Sequence, residues 1–167
     1  MVERILGIDP GLNITGYGVV EMAADGLRIV EAGVVRSGAK RTLAARLAEI
    51  YAGVSEVLTT FQPAAMALEE LYSHYERPRT AILMGHARGV ICVAAANHNT
   101  PVIPYAATQV KKILTGNGRA PKAQMQRAIC RELKLPEPPE PPDVADALAL
   151  ALCHCYLGRT RGDGMSE

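Results

Sequence analysis

Near the start of the chain Ile5, Leu6 and Ile8 form an apolar run that is broken only by Gly7 and closed by Asp9. A short run of this kind suits a strand buried on both faces of a sheet. Pro10 and Gly11 stop it and turn the chain. Thr15 to Val20 reads as a returning strand, so the first unit is a hairpin with Asp9 near its rim. Leu27 to Val35 reads as a third strand and completes an antiparallel meander. The period then changes. Leu43, Leu47, Ile50, Val54, Val57 and Phe61 recur every three or four residues, one face of a helix over Arg41 to Phe61 that Gln62-Pro63 ends. Ala65 to Glu69 is a short fourth strand, parallel to the first after the helical crossover.

Pro78 suits the first turn of a long helix running to about Asn97. This helix is apolar on more than one side, through Ile82, Leu83, Met84, Val90, Ile91, Val93 and Ala94, and so needs two partners. One is the sheet. The other is either a second helix of the same chain or the same helix of a second subunit. Gly85 and Gly89, four apart, would let another backbone come close. Pro101 to Pro104 gives a fifth strand, Ala107 to Leu114 a helix, Thr115 to Gly118 a loop and Pro121 to Leu133 another helix. Leu135 to Pro142 contains five prolines and reads as a stiff, extended connector. The last helix runs from Asp143 to about Leu157, and Gly158 onward reads as a polar tail. The order implies one α/β domain over residues 1–158, with a tail at 159–167. Its sheet is mixed and five-stranded, three antiparallel strands followed by two parallel ones, flanked by helices.

Composition narrows this picture. At 167 residues, 49% of them apolar, the chain can build one full core without disulfides. The four cysteines, Cys92, Cys130, Cys153 and Cys155, include no C-x-x-C pair, which argues against a zinc ribbon and for inert thiols in a reduced cytoplasm. No signal peptide is seen at the N-terminus, and the richest apolar segment, Val90 to Ala96, is too short to span a bilayer. A net charge of +1 fails the composition test for a nucleic-acid binder. The local distribution is uneven, however. Between Ala107 and Lys134 stand Lys111, Lys112, Arg119, Lys122, Arg127, Arg131 and Lys134 against the single acid Glu132.

Carboxylates placed in apolar elements carry the chemistry. Asp9 ends the first strand, Glu69 and Glu70 end the fourth, and Asp143 and Asp146 open the last helix three residues apart, on one face. All three places can converge at one end of the sheet. Acids gathered without basic partners repel one another and call for a divalent cation. Hard oxygen ligands select Mg²⁺ or Mn²⁺. Each acid also has a plainer role available. Asp9 could accept turn amides, Asp143 could cap its helix, and Asp146 could favour the helix dipole. Glu70 reads as the solvated member of its pair. A two-metal carboxylate site suits phosphodiester hydrolysis. Lys111 and Lys122 are then candidates to hold phosphate, with a solvated helix face the alternative for the other bases. Tyr72 and Tyr75, in the loop after Glu69, are candidates to stack on an unpaired base or else to cover the core edge.

Taken in order, these residues resemble the RuvC Holliday-junction resolvases of the ribonuclease H-like superfamily over about Arg4 to Tyr156. The marks are Gly7-Ile8-Asp9-Pro10-Gly11 with Thr15-Gly16-Tyr17-Gly18, Ala67-Leu68-Glu69-Glu70, Gly85-His86-Ala87-Arg88-Gly89-Val90, Gln109-Val110-Lys111, and Asp143 through Ala149. The resemblance implies a homodimeric, Mg²⁺-dependent endonuclease, with Mn²⁺ able to substitute and two ions per site with DNA bound. It would make paired nicks in four-way junctions during recombination and repair. The family's four acids fall on Asp9, Glu69, Asp143 and Asp146, its basic pair on Lys111 and Lys122, and its base-contacting aromatic on Tyr72, where a Phe is common. Other members carry His at the position of Asp143 or its equivalent third acid. The helix from Pro78 to Asn97 corresponds to the family's dimer helix, and RuvA- and RuvB-type branch-migration proteins are the implied partners. Gly7-Ile8-Asp9-x-Gly11 also opens ATPase domains of the actin and sugar-kinase type, but those need a second similar domain and this chain is too short for one. A junction-binding module with a decayed site is the non-catalytic alternative, and the full set of acids speaks against it.

Overall fold

The structure is a computed structural model that describes residues 2–70 and 77–162, the side chains of 159–162 excepted. Its elements in chain order are β1 (Arg4–Asp9), β2 (Ile14–Ala23), β3 (Gly26–Arg36), α1 (Leu43–Phe61), β4 (Ala65–Glu69), α2 (Pro78–Asn97), β5 (Val102–Tyr105), α3 (Ala107–Thr115), α4 (Lys122–Leu133) and α5 (Pro142–Gly162). The strands form one sheet in the order β3-β2-β1-β4-β5. The first three are antiparallel, and β4 and β5 run parallel to β1. The expected α/β architecture, a mixed five-stranded sheet flanked by helices, is therefore present. β1 has a neighbour on each side, which is why its residues are apolar almost throughout.

Alternation along the strands splits the core into two layers. Leu6, Ile8, Val19, Met66 and Leu68 face α1 and α2, against Ile50, Val54 and Ile91. Ile5, Val20, Ala65 and Ala67 face the other way, against Val110 of α3, Ile129 of α4 and Leu148 and Leu152 of α5. Glycine decides how close α5 comes. Gly7 and Gly18 are paired across the hairpin, and Gly16 is paired with Asp9. A Cβ on Gly7 would overlap the carbonyl oxygen of Ala147, one on Gly16 the backbone of Asp143, and one on Gly18 the side chain of Leu148. The helix therefore lies backbone against backbone on β1 and β2.

Some boundaries move outward from the sequence expectation. β2 continues past Val20 to Ala23 because Glu21 is not a strand-ending surface charge. It is 4% exposed and lies between Arg4 of β1 and Arg28 of β3. The expected tail from 159 is partly helical, since α5 runs on to Gly162. Gly158 lowers helix stability by about 1 kcal/mol without ending the helix. Asp143 lies inside the first turn of α5 and does not precede the helix as a cap. The α2 helix matches its expected span and packs on the sheet through Ala87, Ile91, Ala94 and Ala95. Its second partner is partly α1 of the same chain. Ile82 and Val93 stay exposed, and a Cβ on Gly85 or Gly89 would meet nothing. The close approach expected at those two glycines is not made among the described residues. Although Val90–Ala96 is short, the whole helix is long and apolar enough to cross a membrane by length and composition, with 22% of its most apolar window buried.

Because Gly7 meets backbone and not a movable side chain, Gly7→Ala is expected to destabilise the fold by about 2 kcal/mol or more. Urea unfolding should show a lower midpoint with an unchanged slope.

Candidate active site

The site is built where β1 and β4 end. The parallel register pairs Ile5 with Ala65, Gly7 with Ala67 and Ile8 with Leu68, so the next residues, Asp9 and Glu69, end neighbouring strands at one level. Both share the strand parity of the residues that face α5, and so project to that side. Gly16 holds the first turn of α5 against β2 beside Asp9, which brings Asp143 and Asp146 over the two strand ends. The turn after Asp9 is closed by Thr15, fully buried, whose Oγ donates to the Gly11 carbonyl at 2.8 Å and accepts from the Gly11 amide at 3.3 Å. From the α1 side, Arg46 bonds Asn13 and Ser37, and Ser37 bonds the Leu12 carbonyl.

The like charges of the other three acids bear on Asp9. The Asp9 carboxyl is pushed up to about 8, first by burial and then by the like charges of Asp146, Glu69 and Asp143. Glu69 is raised by burial and by Asp146, with Lys111 opposing. Asp146 is raised by burial, with Lys122 opposing, Asp143 adding to the rise and Lys111 again opposing. Glu70 points away to solvent, and its amide donates to the Tyr105 carbonyl at 2.9 Å. Among the described residues no three His, Cys, Asp or Glu side chains are drawn into a ready-made ion-binding cluster. The donor chemistry nonetheless fits a divalent cation: four hard carboxylates, none in a salt bridge among the described residues, with Asp9 pushed up by burial and by the like charges of its neighbours.

Asp9, Glu69 and Asp146 border a cleft of about 310 Å³ that also takes in Lys111 of α3 and Lys122 of α4. Asp143 does not line it. Of the other bases, none lines the cleft, and Arg131 pairs with Glu132 at 3.8 Å on the outer face. Tyr72 and Tyr75 lie outside the described residues. Two polar side chains at the site were not anticipated as such. Gln126 lines the cleft one turn along α4 from Lys122. Arg88 of α2 donates from Nε to the Glu69 carbonyl at 3.2 Å, fixing the end of β4. Arg88 stands within one of the quoted motifs, but a helical period cannot tell which way a lone arginine reaches.

Residues 5–154 match the family model for the crossover junction endodeoxyribonuclease RuvC. The chain belongs to the RuvC family. As a RuvC-family member it is a crossover junction endodeoxyribonuclease, and the family implies a nuclease that works with a divalent metal. The RuvC of Rhodopirellula baltica is 58% identical over 153 residues, 92% of this chain and 86% of that one. The RuvC of Photobacterium profundum is 46% identical over 156 residues, 93% of this chain and 88% of that one. The solved RuvC of Thermus thermophilus in complex with a Holliday junction substrate superposes with a TM-score of 0.89 at 37% identity, covering 95% of this chain and 96% of that one. The yeast mitochondrial resolvase Ydc2, 15% identical with a TM-score of 0.56, shares the fold.

The raised Asp9 carboxyl gives this RuvC-family fold a definite pH dependence. The folded state holds a proton that the unfolded chain gives up near its ordinary value of 3.8, so without metal stability falls as pH rises from about 4 toward 8. In EDTA, Asp9→Asn is expected to raise the melting temperature at pH 8 and to change it little near pH 4. Thermal melts across that range measure it.

Proposed function

We propose that this nuclease resolves four-way DNA junctions by paired, symmetric nicks in homologous recombination and repair. Asp9, Glu69, Asp143 and Asp146 would hold two Mg²⁺ ions, with Mn²⁺ able to substitute. The observation that supports this is the meeting of Asp9, Glu69 and Asp146 with Lys111 and Lys122 at one cleft, where burial and the like charges of Asp146, Glu69 and Asp143 act on Asp9 and call for positive charge beside it. When bound, the ions supply activation of the attacking water and stabilisation of the leaving oxygen. The chain's own residues do the rest. Asp9 and Glu69 fix the position of that charge from rigid strand ends. Lys111 and Lys122 hold the scissile strand's phosphates from the opposite wall of the cleft. Tyr72 stacks on an unpaired base, the role the family resemblance implies for it. The Thermus thermophilus relative was solved with a Holliday junction, which supports the same substrate here.

The enzyme works as a homodimer through α2. Ile82 is 62% exposed and Val93 52%, and with Gly85 and Gly89 they leave an apolar face that a second α2 would cover. A two-fold pair of sites suits a substrate with two equivalent strands. RuvA- and RuvB-type branch-migration proteins are the partners, the cytoplasm is the compartment, and residues 1–158 are the nuclease domain.

Cleavage of a mobile four-way junction beside a linear duplex of the same sequence, with and without Mg²⁺, tests the function. Only the junction with Mg²⁺ should be nicked. Asp9→Asn and Asp146→Asn should each lower nicking by at least about 100-fold while junction binding persists in gel shifts. Wild-type rates in either variant would remove the site assignment. Lys111→Ala and Lys122→Ala should each weaken junction binding and reduce the slope of log affinity against log salt by about 1. For the dimer, Ile82→Asp should shift sedimentation toward the monomer.

A further inference from the structure

We infer that Arg88 is a positioning residue for the nuclease site: from α2 it clamps the peptide group that follows Glu69 and so holds the Glu69 carboxylate in place for a metal ion. This rests on the reading of Glu69 as a metal ligand given above. β4 is five residues long and Glu69 is its last. Pairing between β1 and β4 stops at Ile8 and Leu68. Two residues on along β1 stands Pro10, which has no amide hydrogen to carry the ladder further. The Glu69 carbonyl takes its donor from a helix instead, the Arg88 Nε at 3.2 Å. The other end of the same peptide group is also held, because the Glu70 amide donates to the Tyr105 carbonyl of β5 at 2.9 Å. One planar unit is thus fixed from both sides of the strand. The Cα that bears the Glu69 side chain is bonded directly to it.

Arg88 forms no ion pair among the described residues. It meets Glu69 through the backbone, from the side of the sheet opposite to the one the carboxylate faces. An arginine on the carboxylate itself would neutralise it and compete with a cation. On the carbonyl it fixes the residue and leaves the charge of the side chain for an ion. Groups that orient a metal ligand without touching the metal act in this way, and their loss weakens metal binding. The donor also comes from a firmly seated part of α2. Ala87, the preceding residue, is fully buried against the sheet, and Arg88 is itself half-buried.

The test compares two replacements of matched length. Arg88→Gln puts an amide N–H where Nε stands and removes the charge. Arg88→Met fills the same length with no donor. Mn²⁺ binding to the full chain without DNA is read by electron paramagnetic resonance of the free ion, beside nicking of a four-way junction over a Mg²⁺ series and gel shifts in EDTA. Arg88→Met should bind Mn²⁺ about tenfold more weakly and need about tenfold more Mg²⁺ for half-maximal nicking. Arg88→Gln should stay close to wild type in both, and junction binding in EDTA should be unchanged in either variant. Arg88→Leu, also without a donor, takes the place of Arg88→Met if thermal melts in EDTA show that variant unfolded. Wild-type Mn²⁺ affinity without the donor overturns the inference. So does an Arg88→Gln as impaired as Arg88→Met, which makes the charge responsible, and so does weakened junction binding in EDTA with intact Mn²⁺ affinity, which marks a phosphate contact. Glu69→Gln with wild-type Mn²⁺ affinity removes the ligand reading and this inference with it. No Mg²⁺-dependent nicking of any junction by wild type removes the resolvase reading, and the Mn²⁺ measurements then decide on Arg88 alone.

Discussion

The contact on which the rest depends is that of α5 with the first hairpin. Gly7, Gly16 and Gly18 remove the side chains that would hold the helix away, so its backbone rests on β1 and β2. Interiors pack at crystal density and leave no slack for an added methyl group against a carbonyl. The seat therefore sets the height and direction of α5 closely. Asp143 and Asp146 are carried on its first two turns and inherit that placement. From there their like charges act on Asp9.

That placement creates a standing electrostatic conflict. Burial and three like charges act together on Asp9, while Lys111 and Lys122 relieve only Glu69 and Asp146. The opposite end of the hairpin handles a buried acid differently. There Glu21 is flanked by an arginine on each neighbouring strand and its charge is neutralised within the protein. The same sheet thus contains one acid that is fully satisfied and one that is left in need of an external partner. Strained groups of the second kind mark functional sites more often than structural ones.

Much of this was legible in the sequence because it depends on local pattern. The apolar run closed by Asp9, the change of period at Leu43 and the prolines before Asp143 each act over a few residues. Convergence of Asp9 with Glu69 could be expected from parallel strand ends, and the register bears it out. What depends on contacts between distant segments was not legible. The reading of Thr15 to Val20 stops short of Glu21, whose two arginines lie on other strands. Gln126 was one polar residue among several on an amphipathic helix, and only the packing of α3, α4 and α5 shows that it faces the cleft. Arg88 could not be tied to Glu69 before the fold placed α2 over the end of β4. The glycines at 85 and 89 signalled a close backbone approach, and that approach is not made among the described residues.

The proton on Asp9 has a bearing on how the site fills. In the two-ion site proposed above, an Asp9 carboxyl pushed up to about 8 would have to release its hydrogen ion before acting as an anionic ligand. Loading with a divalent cation would then exchange one kind of positive charge for another, with acid competing against the incoming ion and the site filling more readily as the surroundings turn alkaline.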